Sequence, residues 1–198
     1  MSTLVNLKKQ DIYTAAARLF KEKGYPSTSM RELASAVGME ASSLYNHIRS
    51  KAELLEHICF HTAEGFTKGM EAIRSKGDSP VEQIRALIHL HVEIAIDDPS
   101  SQTVFNDEWR HLTPEKLAIF LEMRRNYEQD FLNILEEARQ QGILREIPST
   151  TILRTIVSAM RWIHPGKSVP TPASKKQLAE ELGLLLIHGF SRVAPHGA

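Results

Sequence analysis

Ser42, Ser43, Tyr45, Asn46 and His47 place five hydrogen-bonding side chains within six positions, shortly after a glycine, Gly38. Hydroxyl, amide and imidazole groups of this size donate and accept hydrogen bonds. On one face of a short helix they suit base-pair edges and phosphate oxygens, which are read by contacts of this kind. The chemistry they point to is recognition. Small residues at 42 and 43 let the first turn approach its partner closely. The backbone N–H groups and positive dipole end of that turn favour an anion.

The flanking residues build the elements that would hold this face. Met30, Leu33, Ala34 and Val37 follow i, i+3, i+4, i+7 spacing, one side of an amphipathic helix. Thr28 or Ser29 can cap it, and Glu32 falls where a capping-box carboxylate belongs if Ser29 is the cap. Gly38 supplies a left-handed terminator. After a short turn, the pattern predicts two helical turns over Ala41–Ile48, with Leu44 and Ile48 inward. Two short helices around a glycine turn form a helix-turn-helix, whose second helix enters the DNA major groove. Ser50 can cap a further helix, with Glu53 at its third position and Lys51 in its first turn. A lysine there opposes the macrodipole unless an anion lies nearby, and a phosphate would be one. Upstream, a helix over Lys8–Gly24 carries Ile12, Ala15, Ala16, Leu19 and Phe20, and Pro26 prevents its continuation. Ile12, Leu19, Phe20, Leu33, Val37, Leu44 and Ile48 make a small shared core.

With these residues in register, positions 8–57 resemble the DNA-binding domain of the TetR family of bacterial transcriptional regulators. The matching pieces are AAARLFKEKGYPSTSMRELASAVGM and SLYNHIRSKAELL, the latter similar to the family's LY-x-H-F-x-S-K-x-x-L. The resemblance implies phosphate contacts from Thr28, Tyr45, His47 and Lys51, with Ser42, Ser43 and Asn46 nearest the base edges. Two positions depart from the pattern. Glu40 stands where the family commonly places a capping serine, which makes a borrowed operator sequence unsafe. Ile48 replaces the usual phenylalanine, a change of core volume only.

The chain of 198 residues is 42% hydrophobic, enough for a real core and one or two domains. Its formal net charge is zero, yet residues 1–55 carry eight Lys or Arg against five Asp or Glu. That +3, balanced by −3 beyond, has the right sign for phosphate but is weak. Operator affinity is therefore expected from specific docking of a dimer. One cysteine, Cys59, excludes an internal disulfide framework and reads as a small apolar helix residue. MSTLVNLKKQ holds no apolar run of signal-peptide length, and no segment approaches the roughly 18 apolar residues of a membrane span, so a cytoplasmic protein is expected.

The remaining pattern is helical, giving an all-α fold of about nine helices: a helix-turn-helix domain over 1–55 and a larger effector-binding and dimerisation domain over 56–198. Helices are predicted from Lys51 toward Ile73, from Pro80 to about Ala95, over Ser100–His111, and from Thr113-Pro114 to Gly142. Two more run from Ser149 to Ile163, ended by His164-Pro165-Gly166, and from about Ala173 to Arg192. The last is expected to bury Leu178, Leu182, Leu185 and Phe190, while Leu184, Leu186 and Ile187 spread apolar surface around it. A helix apolar on two sides needs two partners. In the family resembled, the last two helices form a four-helix dimer interface, here about 149–164 and 173–192, where Gly183 and Gly189 could permit close approach.

The resemblance also implies a small-molecule effector held by the middle helices. Candidates are His89, Glu93, Phe105, Trp109, Arg110, Arg124, Tyr127, Met160 and Trp162. Arg124 interrupts the apolar stripe of the long helix, so it either snorkels or pairs with a carboxylate such as Glu108 or Glu93, or else faces the effector. FNDEWRHL, RRNYEQDF and RWIHPG are similar to the ligand domains of acyl-CoA-responsive members, which ranks an acyl-CoA thioester beside a plain hydrophobic molecule. No cofactor, metal or catalytic residue is expected. His89 and His91 lie i, i+2 on a helix, roughly 200° apart, and cannot share a metal. H-E-x-x-H, a phosphate loop and G-x-S-x-G are all missing from the sequence. The rival readings are a helical interaction module without DNA binding and, more remotely, a small-molecule enzyme.

Overall fold

The computed structural model describes residues 2–161, 163 and 171–190, with the side chains of 2–7, 172 and 190 outside that description. Among the described residues the chain forms nine α-helices, one 3₁₀ turn and no strand element. The helices are α1 Ser2–Lys23, α2 Met30–Ala36, α3 Ala41–Leu44, α4 Lys51–Ser75, α5 Pro80–Asp97, α6 Pro99–Asp107, α7 Pro114–Gln140, α8 Ser149–Met160 and α9 Pro172–Phe190. The 3₁₀ turn, Trp109–His111, follows α6. No helix among the described residues is long and apolar enough to cross a membrane.

Contacts divide the chain into two compact units, Met1–Glu64 with Asp98–Glu122, and Gly65–Asp97 with Met123–Ala198. This division groups α6, the 3₁₀ turn and the start of α7 with the first three helices, which a cut after residue 55 does not do. In the first unit α1 packs on α2 and α6, and α2 on α3. Ile12, Ala16, Leu19, Phe20, Leu33, Leu44, Ile48, Leu54 and Leu55 are buried there, whereas Val37, assigned to the same core from its spacing, is only half-buried. In the second unit α5 is central, packing on α8 and α9. Its core joins Ile84, Leu87, Ile88 and Val92 of α5 to Phe131, Ile134 and Leu135 of α7 and Ile152 and Ile156 of α8.

Local chemistry explains most helix ends. Ser29 caps α2: its hydroxyl accepts the Glu32 N–H at 3.3 Å, and the Glu32 carboxylate accepts the Ser29 N–H at 2.9 Å. Gly38 follows at φ +66°, a conformation that costs other residues a Cβ clash. Two expectations change. Helix α1 starts at Ser2 rather than Lys8, and α3 is one turn rather than two. After Leu44 the bonds tighten to i→i+3: Asn46 N–H donates to Ser43 O at 3.2 Å and His47 N–H to Leu44 O at 2.9 Å. The next helix imposes this. Ser50 Oγ must accept the Glu53 N–H at 3.2 Å, and Glu53 Oε2 the Arg49 N–H at 2.8 Å, so the chain leaves helical geometry before residue 49.

Helix α9 also corrects the sequence reading. Ala179, Leu182, Gly183 and Ile187 face inward, and Leu178 and Leu186 are half-buried. Leu185, expected inside, is 71% exposed, beside Leu184 at 55%. The inward stripe follows i, i+3, i+4, i+8 from Ala179, and residues 184 and 185 fall off it. The glycines are not needed for close approach within the chain. A Cβ on Gly183 would meet Arg85 Cγ at an ordinary 3.9 Å, and one on Gly189 would meet nothing within 4 Å among the described residues. Phe190's side chain, Arg192 and the His164-Pro165-Gly166 turn lie outside the described residues.

Ser29→Ala removes the hydroxyl half of the α2 capping box, leaving the Glu32 carboxylate on the backbone N–H of residue 29, and should lower unfolding free energy by about 1 kcal/mol in urea titration. Ser42→Ala, at an exposed position with no capping bond, should change it by less than about 0.5 kcal/mol.

Candidate nucleic-acid interface

Helix α3 begins without help from its cap residue. Glu40 is extended (φ −69°, ψ 146°), and its side chain accepts no capping hydrogen bond. The helix is held instead through Leu44 and Ile48, both fully buried. With those two inward, Ser42, Ser43 and Asn46 are exposed, Tyr45 is 54% exposed and His47 half-buried. The five side chains named for this face therefore occupy one continuous surface segment.

Thr28 does not join them. It is 2% exposed, and its hydroxyl donates to Gly24 O at 3.0 Å, with Leu19 O at 3.4 Å. These bonds tie the loop before α2 to the end of α1. Lys51 is also engaged. Its Nζ donates to Tyr25 O at 2.8 Å, Pro26 O at 3.2 Å and Thr28 O at 2.8 Å, and lies 4.4 Å from the Tyr25 ring centroid.

Two further lysines of this unit have carboxylate partners. Lys23 pairs with Glu32 at 2.6 Å, and this contact, with the Ser29 bonds, holds the Glu32 carboxyl down at about 2. Lys116 pairs with Glu56 at 2.6 Å, which raises its pKa. An open cleft of about 1010 Å³ borders Tyr45, Asn46 and His47 and reaches Lys9, Arg49 and Lys116. Sequence reasoning missed these last three. Arg49 adjoins the motif and Lys9 is in the basic excess of residues 1–55, but Lys116 is brought in only by the fold. In the same cleft His57 stacks on Tyr13, ring centroids 3.5 Å apart, and burial lowers its pKa, assisted by His61 and Lys9.

The effector candidates separate into two groups. Phe105, Trp109 and Arg110 belong to the first unit, where Phe105 and Trp109 pack around Phe120 and Arg110 lies over the Trp109 ring at 4.5 Å. His89, Glu93, Arg124, Tyr127 and Met160 belong to the second. His89 and Glu93 border an open groove of about 450 Å³ with Gly69, Arg85 and Leu90, while Met160 is in the core. Arg124 is 3.8 Å from Glu128 one turn along its own helix. The pairing is local because α7 offers a carboxylate at i+4, a spacing that brings side chains together. Trp162 lies outside the described residues. Cys59 is buried, and burial, with Glu108 nearby, pushes its thiol up to about 12, which suits an inert packing residue.

Residues 12–58 match the family model for bacterial regulatory proteins of the tetR family, and residues 77–189 match the tetracyclin repressor-like C-terminal domain. The chain belongs to the TetR family. It is a DNA-binding transcriptional regulator, and TetR proteins bind operator DNA and dimerise. Among relatives, it is 28% identical over 177 residues to the HTH-type transcriptional repressor KstR2 of Rhodococcus jostii (strain RHA1), covering 86% of each chain. Its fold is similar to the ketosteroid transcriptional regulator KstR2 of Mycobacterium tuberculosis, with TM-score 0.84 and 19% identity over 93% of this chain and 95% of that one. It is also similar to AibR solved with isovaleryl coenzyme A and operator DNA, with TM-score 0.76 and 25% identity over 91% and 98% of the two chains.

Within the TetR C-terminal match, the interior holds one polar pair the sequence had not assigned. Tyr127, an effector candidate, and His91 are joined: His91 Nε2 and Tyr127 OH share a hydrogen bond of 2.9 Å, with Phe66 against both rings. Burial lowers the His91 pKa from 6.5 to about 4 and raises that of Tyr127. At neutral pH the imidazole is therefore uncharged. As pH falls from about 6.5 to about 4, the unfolded chain takes up a proton that the folded chain refuses, so stability present above 6.5 is lost on acidification. The loss amounts to roughly 3 kcal/mol for a shift of this size. His91→Gln should flatten that part of the stability–pH curve, measured by urea unfolding between pH 7 and 4, whatever it does to stability at pH 7.

Proposed function

We propose that this TetR protein is a cytoplasmic repressor that binds a pseudopalindromic operator as a homodimer and releases it on binding an acyl-CoA thioester. The observation that carries the DNA half is the exposed Ser42, Ser43, Tyr45, Asn46 and His47 segment at α3. Ser42, Ser43 and Asn46 are assigned to base edges, and Tyr45 and His47 to phosphates. Two-fold reading follows from the way helix-turn-helix dimers place one helix in each of two successive major grooves. The dimer interface is assigned to 149–164 and 173–192, supported by the exposed Leu184 and Leu185 on α9. A large apolar pair left in solvent on a helix whose other side is buried marks a surface for association.

The repressor half is supported by the KstR2 relatives, named as repressors. The effector class is supported by AibR, solved with a CoA thioester and operator DNA together. An effector moves the equilibrium only as far as it prefers one state over the other. In the proposed switch it favours a dimer whose two recognition helices no longer match successive grooves.

A duplex selected from a random-sequence pool supplies the probe. Fluorescence anisotropy should show salt-sensitive binding to it, and Asn46→Ala should weaken binding by about 1–3 kcal/mol, the usual worth of a good base contact. Leu185→Glu should give a monomer by sedimentation and lose the two-fold footprint. Isovaleryl-CoA and longer acyl-CoAs should reduce duplex affinity, whereas free CoA should not. Release by a free hydrophobic acid but by no thioester would replace the acyl-CoA assignment with a plain apolar effector.

A further inference from the structure

The ammonium of Lys51 meets a site built from protein. Three backbone carbonyls, of Tyr25, Pro26 and Thr28, converge on it at 2.8, 3.2 and 2.8 Å, matching its three donors. The Tyr25 ring covers it at 4.4 Å. That ring is fixed in turn by Phe20, edge-on at 5.1 Å, and by His111, stacked at 5.5 Å. All of these groups belong to one compact unit. A lysine in the first turn of a helix lacks electrostatic compensation unless acceptors lie close by. Here the carbonyl oxygens supply it, so no phosphate is needed.

We infer that Lys51 is a positioning residue for DNA reading: it clamps the α1–α2 loop to the start of α4 and thereby sets the angle at which α2 and α3 are presented. The inference rests on the DNA-binding reading and changes the role of one residue within it. The loop it holds has little else across its length. Thr28 N–H donates to Tyr25 O at a long 3.3 Å, and the Thr28 hydroxyl returns to Gly24 O at 3.0 Å. Helix α2 begins two residues after Thr28, from the Ser29 cap. A loosened loop would therefore tilt α2, and α3 packs on α2.

A phosphate ligand and a clamp differ in two readouts. Removing one phosphate contact reduces the slope of log K against log[salt] by about one, whereas a positioning residue leaves the count of released ions unchanged. A clamp also acts without DNA. The experiment compares full-length wild type, Lys51→Met and Lys51→Arg, titrated with the selected duplex from 50 to 300 mM NaCl. Amide exchange of residues 25–30 is followed in the same proteins without DNA. The clamp predicts roughly tenfold weaker binding for Lys51→Met at every salt concentration, with unchanged slope, and about tenfold faster exchange of the Thr28 and Ser29 amides. Lys51→Arg should fall short of wild type in both readouts, because a planar guanidinium cannot aim three donors at carbonyls converging on one point.

A slope shallower by about one with unchanged exchange would overturn the inference, as would Lys51→Arg matching wild type in both readouts. If Lys51→Met does not fold, Lys51→Arg decides, since a phosphate ligand predicts wild-type behaviour for it. If wild type selects no duplex, the DNA reading fails by itself. Exchange then still tests the clamp: faster in Lys51→Met supports it and unchanged refutes it.

Discussion

A helix of four residues cannot hold its own shape. Forming the first turn fixes several dihedrals for a single hydrogen bond, so isolated helices need roughly a dozen residues or more even to be marginal. Helix α3, Ala41–Leu44, lies far below that limit and lacks a side-chain cap. Its geometry is therefore imposed from outside. Leu44 and Ile48 anchor it in the core. The capping box of Ser29 and Glu32 sets the start of α2, on which α3 packs. Ser50 and Glu53 fix where α4 must begin. A reading surface built this way is only as well placed as its supports, which is why the polar residues behind it are spent on backbone groups.

The same constraint accounts for the charge balance. A protein relying on bulk attraction to phosphate would keep its cations in solvent, but this chain is neutral overall. Lys23 and Lys116 have carboxylate partners, and Lys51 has carbonyls. Exposed ion pairs of this type add little stability. Their larger effect is to limit how much charge DNA can recruit without breaking a contact. On the reading proposed above, affinity would then depend more on shape, on α3 contacts and on having two copies than on long-range attraction.

What the sequence made legible was local. Ser29 and Glu32 lie three residues apart, and Gly38 closes the helix they start, so capping chemistry alone placed α2. The apolar periods located most of the other helices within a few residues, the start of α1 and the end of α3 excepted. What the sequence left illegible came from partners distant along the chain or from competition between neighbouring elements. Thr28 and Lys51 are residue types that usually face solvent, and nothing local reveals that the Leu19 and Gly24 carbonyls await one and the Tyr25–Thr28 loop the other. The length of α3 was overestimated because its period continues to Ile48 while the Ser50 cap forces an earlier exit. Arg124 drew attention as a charge on an apolar stripe, yet Glu128 stood four residues away on the same helix.

Helix α9 shows a different limit of pattern reading. Leu178, Leu182 and Leu185 follow i, i+4, i+7 spacing, which points Leu185 inward. The fold instead turns Ala179 and Gly183 inward beside Leu182 and Ile187, leaving Leu184 and Leu185 in water. Helix α9 packs on α5 along that stripe, and the excess hydrophobicity falls on the opposite side. Burying two exposed leucine side chains would stabilise an association by about 1.5–3 kcal/mol each, before the entropy of association is subtracted. In the interface proposed above, that gain would fall on the helix that packs on α5. A change in the second unit's core that shifts α5 would reach α9 directly, through side chains already in contact, without requiring a separate transmission element.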